Sequence, residues 1–124
     1  MQKFRFRDFK VYQDAILFRM EIKQLVRKYF PAEEKYLLSD QIIRAANSIV
    51  LNIAEGSDRG TDKDFALFLN RSHTSLAEVV ACLDLALKEK FINDKIHREY
   101  LMKSENLANQ LTAFRRKLLV NPTK

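Results

Sequence analysis

Four runs of apolar residues recur at steps of three and four, and the links between them are too short for anything but turns. That periodicity most constrains what this 124-residue chain can become. Val11, Ala15, Phe18, Ile22, Leu25 and Tyr29 define the first run, widened by Tyr12, Ile16 and Val26. The apolar face is too wide for a simple dimeric coiled coil. Asp8 is a candidate cap at its start. Phe30-Pro31 ends it, because a residue before proline is pushed out of the helical region. "AEEKYLL" is a connector with room for one helical turn. Ser39 is the expected cap of a second helix carrying Ile42, Ala46, Ile49 and Ile53 on one face. Ala45, Ala46, Ser48 and Ala54 are small enough to let a neighbouring backbone approach. A third helix begins at Thr61, with Asp64 at the capping-box position. Its stripe is Phe65, Phe68, Leu69, Ser72, Leu76, Val79, Leu83 and Leu87. Asn93 or Asp94 starts the last helix, which carries Ile96, Tyr100, Leu107, Leu111, Phe114 and Leu118 and closes at Asn121-Pro122.

Short links make consecutive helices antiparallel neighbours. The expected fold is therefore all-α: one up-down-up-down four-helix bundle over residues 1–124, with residues 1–7 a basic N-terminal tail. Both glycines of the chain fall in "NIAEGSDRGTDKD". Gly56 follows the second helix, where a left-handed residue is expected to stop it, and Gly60 precedes the Thr61 cap. Phe4, Phe6, Leu17, Leu51, Phe91 and Leu101 fall off the main stripes, a surplus that suggests a subunit interface.

Cys82 is alone in "VVACLDLAL", which excludes an internal disulfide and a multi-cysteine metal site and reads as a buried thiol. No apolar run follows the first basic residues, and none approaches 18 residues. The expectation is a soluble, cytoplasmic chain with no membrane partner.

Catalytic signals are sparse. There is no Glu-x-x-His of the kind that holds metals in bundles, only Asp94-x-x-His97, read as a capping Asp and a surface His. Ser72 and His73 are adjacent, so on a helix they point about 100° apart and cannot act as nucleophile and base. Gly56 and Gly60 follow a helix rather than a strand, with no Lys-Ser/Thr after them, so they are no phosphate-binding loop. The expectation is a protein that is not an enzyme and needs no metal or cofactor.

Two polar features remain. Arg44, Ser48, Asn52 and Glu55 share one helical face, as do Arg71, Ser75 and Glu78. Folding back at the glycines brings Arg44 towards Ser75 and Glu78, as a seam fixing helix register, a binding groove or a subunit contact. The second feature is charge. The net charge is +6. Residues 1–30 carry eight Lys/Arg against three Asp/Glu, residues 91–124 seven against three, and residues 31–64 only four against seven. Alternating helices gather Lys3, Arg5, Arg7, Lys10, Arg115, Arg116 and Lys117 at one pole, suited to a polyanion. Phe4, Phe6 and Phe9 interleave the first four, to stack on unpaired bases or to pack on the bundle or on a neighbouring subunit. The acidic turn of Asp58, Asp62 and Asp64 shares that pole and partly neutralises it. The alternative basic face is the Arg19, Lys23 and Arg27 row of the first helix.

"FKVYQDA", "FPAEEKYLLSDQIIRAANSIVLNIAEGSDRG" and "SLAEVVACLDLAL" resemble the bacterial four-helix-bundle proteins known as intervening-sequence proteins of 23S ribosomal RNA genes, the S23 family. The resemblance runs from about Phe9 to Leu119. It is most specific at Gln41, Arg44-Ala45-Ala46, Ser48-Ile49, Asn52-Ile53-Ala54-Glu55-Gly56 and Arg59, with Ser75 and Glu78 in the third helix. Ile43-Arg44 stands where the family usually has two adjacent arginines, Val50 where it often has proline, and His73-Thr74 where it often has Lys or Arg then Gly. Those faces therefore carry fewer cations here. The chain is similar also to the accessory variability protein of diversity-generating retroelements, a pentamer that binds nucleic acid and a reverse transcriptase. The resemblance implies a homo-oligomer, a ring of five bundles, and an association with RNA genes. The leading expectation is a non-enzymatic, oligomeric protein that binds structured RNA. The alternative is an oligomeric scaffold or accessory subunit for a protein partner, with no nucleic-acid binding of its own.

Overall fold

The computed structural model describes residues 3–120 and Pro122. Asn121, expected to help close the last helix, lies outside them. Helices α1 (Lys10–Tyr29), α2 (Leu38–Ser57), α3 (Asp62–Lys88) and α4 (Asp94–Val120) are joined by short links and preceded by a 3₁₀ turn, Arg5–Asp8. A second such turn, Ala32–Glu34, lies in the α1–α2 link.

Cross-helix contacts run in opposite senses from α2 to α3 and from α1 to α4, and Arg5–Ser57 with Arg19–Asn47 do the same between the N-terminal segment and α2. From α2 to α3, Gly56 faces Phe68, Ile49 faces Ser72 and Ser48 faces Ser75. From α1 to α4, Phe9 meets Phe114, Asp14 meets Gln110 and Glu21 meets Lys103. Arg19 reaches Asn47 across α1 and α2, and Asp84 reaches His97 across α3 and α4. The helices thus alternate in direction. The diagonal pairs, α1 with α3 and α2 with α4, make no close backbone approach among the described residues.

The apolar stripes converge as their spacing requires. Ile22, Ile42, Ile49, Ile53, Leu69, Val79, Leu83 and Leu111 are fully buried. Each such large side chain contributes about 1.5–3 kcal/mol relative to leaving it in water. Ser72, on the same stripe of α3, is fully buried and donates to the Ile49 carbonyl at 2.8 Å, so its hydroxyl is satisfied. Burial raises the Cys82 thiol to about 11, which leaves it protonated and unreactive at neutral pH.

Thr61 caps α3 by accepting from the Asp64 N–H at 3.1 Å, and Asn93 caps α4 by accepting from the Ile96 N–H at 2.9 Å. Two other expected caps are absent. Asp8 lies in the 3₁₀ turn, and Phe9, whose partly buried ring packs on Phe65 and Phe114, occupies the cap position of α1. Ser39 is already inside α2 and buried. There Glu34 accepts from the Leu38 N–H at 3.3 Å.

Gly56 does not stop α2. It lies within α2, and neither glycine has positive φ. Helix α2 closes instead by tightening. Asp58 and Arg59 donate to the Glu55 and Gly56 carbonyls at 3.2 and 3.1 Å, and the Ser57 hydroxyl donates to the Ala54 carbonyl. Gly56 is required by proximity. A Cβ there would stand 2.6 Å from Phe68 Cβ and 3.0 Å from Phe65 Cδ1. The left-handed residue is Lys90, with φ 65°, after α3. Phe91 N–H bonds to the Ala86 carbonyl and Lys90 N–H to that of Leu87, the Schellman pattern.

Three substitutions separate these roles. Gly56→Ala gains about 1 kcal/mol in helix propensity but overpacks the α2–α3 contact. The expected net loss is about 1–2 kcal/mol. Gly60→Ala, with nothing within 4 Å, should change stability by less than about 0.5 kcal/mol. Lys90→Gly removes a left-handed penalty and should stabilise by roughly 1 kcal/mol. Urea unfolding of the four proteins checks the ordering. Equal midpoints for Gly56→Ala and wild type would contradict the proximity account.

Candidate nucleic-acid interface

Alternation of the helices brings the start of α1, the α2–α3 turn and the end of α4 to one pole. Three phenylalanine rings from three helix ends meet there. Phe9 lies 6.1 Å from Phe65 and 5.2 Å from Phe114, and Phe65 lies 5.2 Å from Phe114. Phe6 packs edge-on against Tyr12, and the largely exposed Phe4 touches Phe6. Phe6 and Phe9 therefore pack on the bundle, the second of the two roles open to them from sequence.

The seven expected cations do reach this pole, but they are not equivalent. Arg5 donates to the Ser57 carbonyl at 3.1 Å, and its guanidinium lies over both Phe9 and Phe65. It ties the N-terminal turn to the end of α2 and is a structural residue. Lys10 pairs with Asp14 at 2.6 Å. Lys10 and Gln110 both hold the Asp14 carboxyl below its usual range. Lys3, Arg7, Arg115, Arg116 and Lys117 are exposed and meet no carboxylate within ion-pair distance among the described residues. Beside Lys117, Phe9, Val11, Ala113 and Phe114 floor an open apolar groove of about 390 Å³.

The alternative row on α1 is less available. Arg19 is half-buried and donates to Asn47 at 2.8 Å. Lys23 is half-buried, and only Arg27 is exposed. The α2–α3 seam divides in a similar way. Ser75 donates to Ser48 at 2.9 Å, and Asn52 donates to the Ser48 carbonyl and hydroxyl, so this stretch fixes register. Arg44 reaches Asp40 at 3.5 Å, while Gln41, Arg44 and Glu78 line an open groove with the exposed Tyr36 and Leu37. Glu55 is exposed on the same face.

On α4, His97 is not a surface residue. Its side chain is 16% exposed, and its ring bonds Asp84 at 2.8 Å. Lys103 bonds Glu21 at 2.8 Å, a contact that raises the lysine above its usual range.

One arrangement was missed from sequence. Arg59 and Arg71 both lie over the ring of Phe68, at 5.0 and 4.5 Å. The available signal was Phe68 three residues before Arg71, a spacing that stacks side chains on one helical face.

Arg5→Ala should destabilise by about 1–2 kcal/mol, through loss of a charge-assisted hydrogen bond and ring stacking. Arg115→Ala should stay within about 0.5 kcal/mol of wild type. Thermal unfolding compares them, and a neutral Arg5→Ala would contradict the structural role given to Arg5.

Comparison with known proteins bears on the fold and family. The chain is similar to the crystal structure of a protein of unknown function from the S23 ribosomal protein family of Bacteroides thetaiotaomicron. The TM-score is 0.76 at 22% identity, over 85% of this chain and 97% of that one. No curated protein matches. The family model of the 23S rRNA-intervening sequence protein matches residues 7–113. With that match covering most of its length, the chain belongs to the 23S rRNA-intervening sequence protein family.

Proposed function

We propose that this protein is a non-enzymatic, homo-oligomeric bundle that binds structured RNA through its basic pole. The observation that carries the reading is the set of exposed cations Lys3, Arg7, Arg115, Arg116 and Lys117, unpaired with carboxylates among the described residues and gathered by helix alternation. Cations already held by carboxylates would have to break those pairs before meeting phosphate; these do not. The reference to 23S rRNA in the family's description supports the choice of RNA. Among the described residues, no helix at the pole aims Asn, Gln and Arg together at base edges, so recognition is of backbone and shape. The pattern of surface apolar residues supports oligomerisation. Phe4, Leu17, Leu51 and Met102 are each about 60% exposed, whereas Phe6, Phe91 and Leu101 are half-buried. Repeating a modest basic pole around an oligomer raises avidity without sequence readout.

Light scattering should give several times the 14.6 kDa of one chain. RNA affinity should fall steeply with salt. Replacing Arg115, Arg116 and Lys117 together by Gln should lower the slope of log K against log salt by about two units per engaged subunit. The loss should be similar for unrelated RNA sequences, at unchanged melting temperature. A protein-binding scaffold predicts no RNA affinity at about 0.15 M salt. That result for the wild-type chain would overturn the reading.

A further inference from the structure

The Arg59–Phe68–Arg71 cluster has features that packing alone does not require. Phe68 is 5% exposed and lies against Gly56, so its ring is a fixed platform. Arg59 comes from the α2–α3 turn and Arg71 from the third turn of α3. Both are exposed, and their guanidinium carbons lie 5.0 and 4.5 Å from the same ring centre. Two cations are thus held within about 10 Å of each other, and neither meets a carboxylate within ion-pair distance among the described residues. Glu55 and Asp58 are close in sequence to Arg59 but form no ion pair with it.

A guanidinium stacked on a ring has lost most of its freedom and keeps its N–H fork available at the edge, where it matches the oxygens of a phosphate. Like charges placed together without an acid repel, and a bound dianion or polyanion removes that repulsion. We infer that Arg59 and Arg71, stacked on Phe68, form a phosphate clamp that takes a backbone phosphate of the bound RNA. The clamp deepens the proposed function, and its RNA assignment rests on that reading. It places a contact on the α2–α3 side of the basic pole, apart from the α4 end that carries Arg115, Arg116 and Lys117.

The test uses the full chain and two probes. In thermal unfolding, pyrophosphate should raise the melting temperature of the wild type beyond the effect of sodium chloride at equal ionic strength. The Arg59→Gln/Arg71→Gln variant should lose that rise, measured against its own melting temperature without ligand. Arg59→Lys/Arg71→Lys, which keeps the charges but not the forks, should lose at least half of it. Arg98→Gln, on the opposite pole, should keep it. No rise in the wild type, or an equal rise in the double Gln variant, overturns the clamp whatever happens with RNA. In the second arm, a structured RNA hairpin is titrated at several salt concentrations. The double Gln variant should lower the salt slope by about 1.4–1.8 units, roughly 0.7–0.9 per contact. Loss of the pyrophosphate response with an unchanged RNA slope overturns the RNA assignment. A wild-type chain that responds to pyrophosphate but never binds RNA overturns the proposed function and leaves the clamp supported as a site for a smaller phosphate.

Discussion

The missing side chain at Gly56 lets α2 and α3 approach closely, and the basic pole is built on that approach. Because no Cβ intervenes, Phe68 and Phe65 seat directly on the last turn of α2. The same closeness lets the buried Ser72 reach the Ile49 carbonyl and Ser75 reach Ser48. These are short side chains, and they bridge two helices only where the backbones nearly touch. Phe65 then completes the three-ring cluster with Phe9 and Phe114, and Phe68 becomes the platform under Arg59 and Arg71. Helix α1 buries its apolar stripe in the same core and adds longer polar reaches to its neighbours. Arg19 contacts Asn47, Lys103 contacts Glu21, Gln110 contacts Asp14, and Arg5 lies across the pole to the Ser57 carbonyl.

Positive charge at this pole therefore has two uses. Arg5 and Lys10 are committed to the protein itself, one to a carbonyl and two rings, the other to a carboxylate. Among the described residues, Arg7, Arg115, Arg116 and Lys117 meet no carboxylate within ion-pair distance. A count of lysines and arginines cannot separate the two groups. The separation depends on which cations find an acceptor when the chain folds.

The helices were legible in the sequence because burial imposes one spacing along many residues, and single exceptions do not erase it. Antiparallel order followed from link length. The caps were less legible. A first turn can be satisfied by several neighbours: Phe9 and Leu37 stand at the cap positions instead of Asp8 and Ser39, and Glu34 rather than Ser39 takes the Leu38 N–H. Gly56 was visible as special, but its reason was not, because the atom that forbids a side chain belongs to Phe68, twelve residues away. Lys90 was invisible, since a left-handed lysine has no composition signal. Of the site, the gathering of the two charged termini was legible. The engagement of Arg5 was not, because its partner is a main-chain carbonyl that any residue could provide.

The central claim is that RNA phosphate meets this protein at the pole where α1 begins and α4 ends. Ultraviolet cross-linking of bound RNA, followed by mass spectrometry of the attached peptides, tests it most directly. The account predicts cross-links within residues 3–12, 57–71 and 113–118. Cross-links confined to the opposite pole, at the α1–α2 link and the α3–α4 turn, would contradict it.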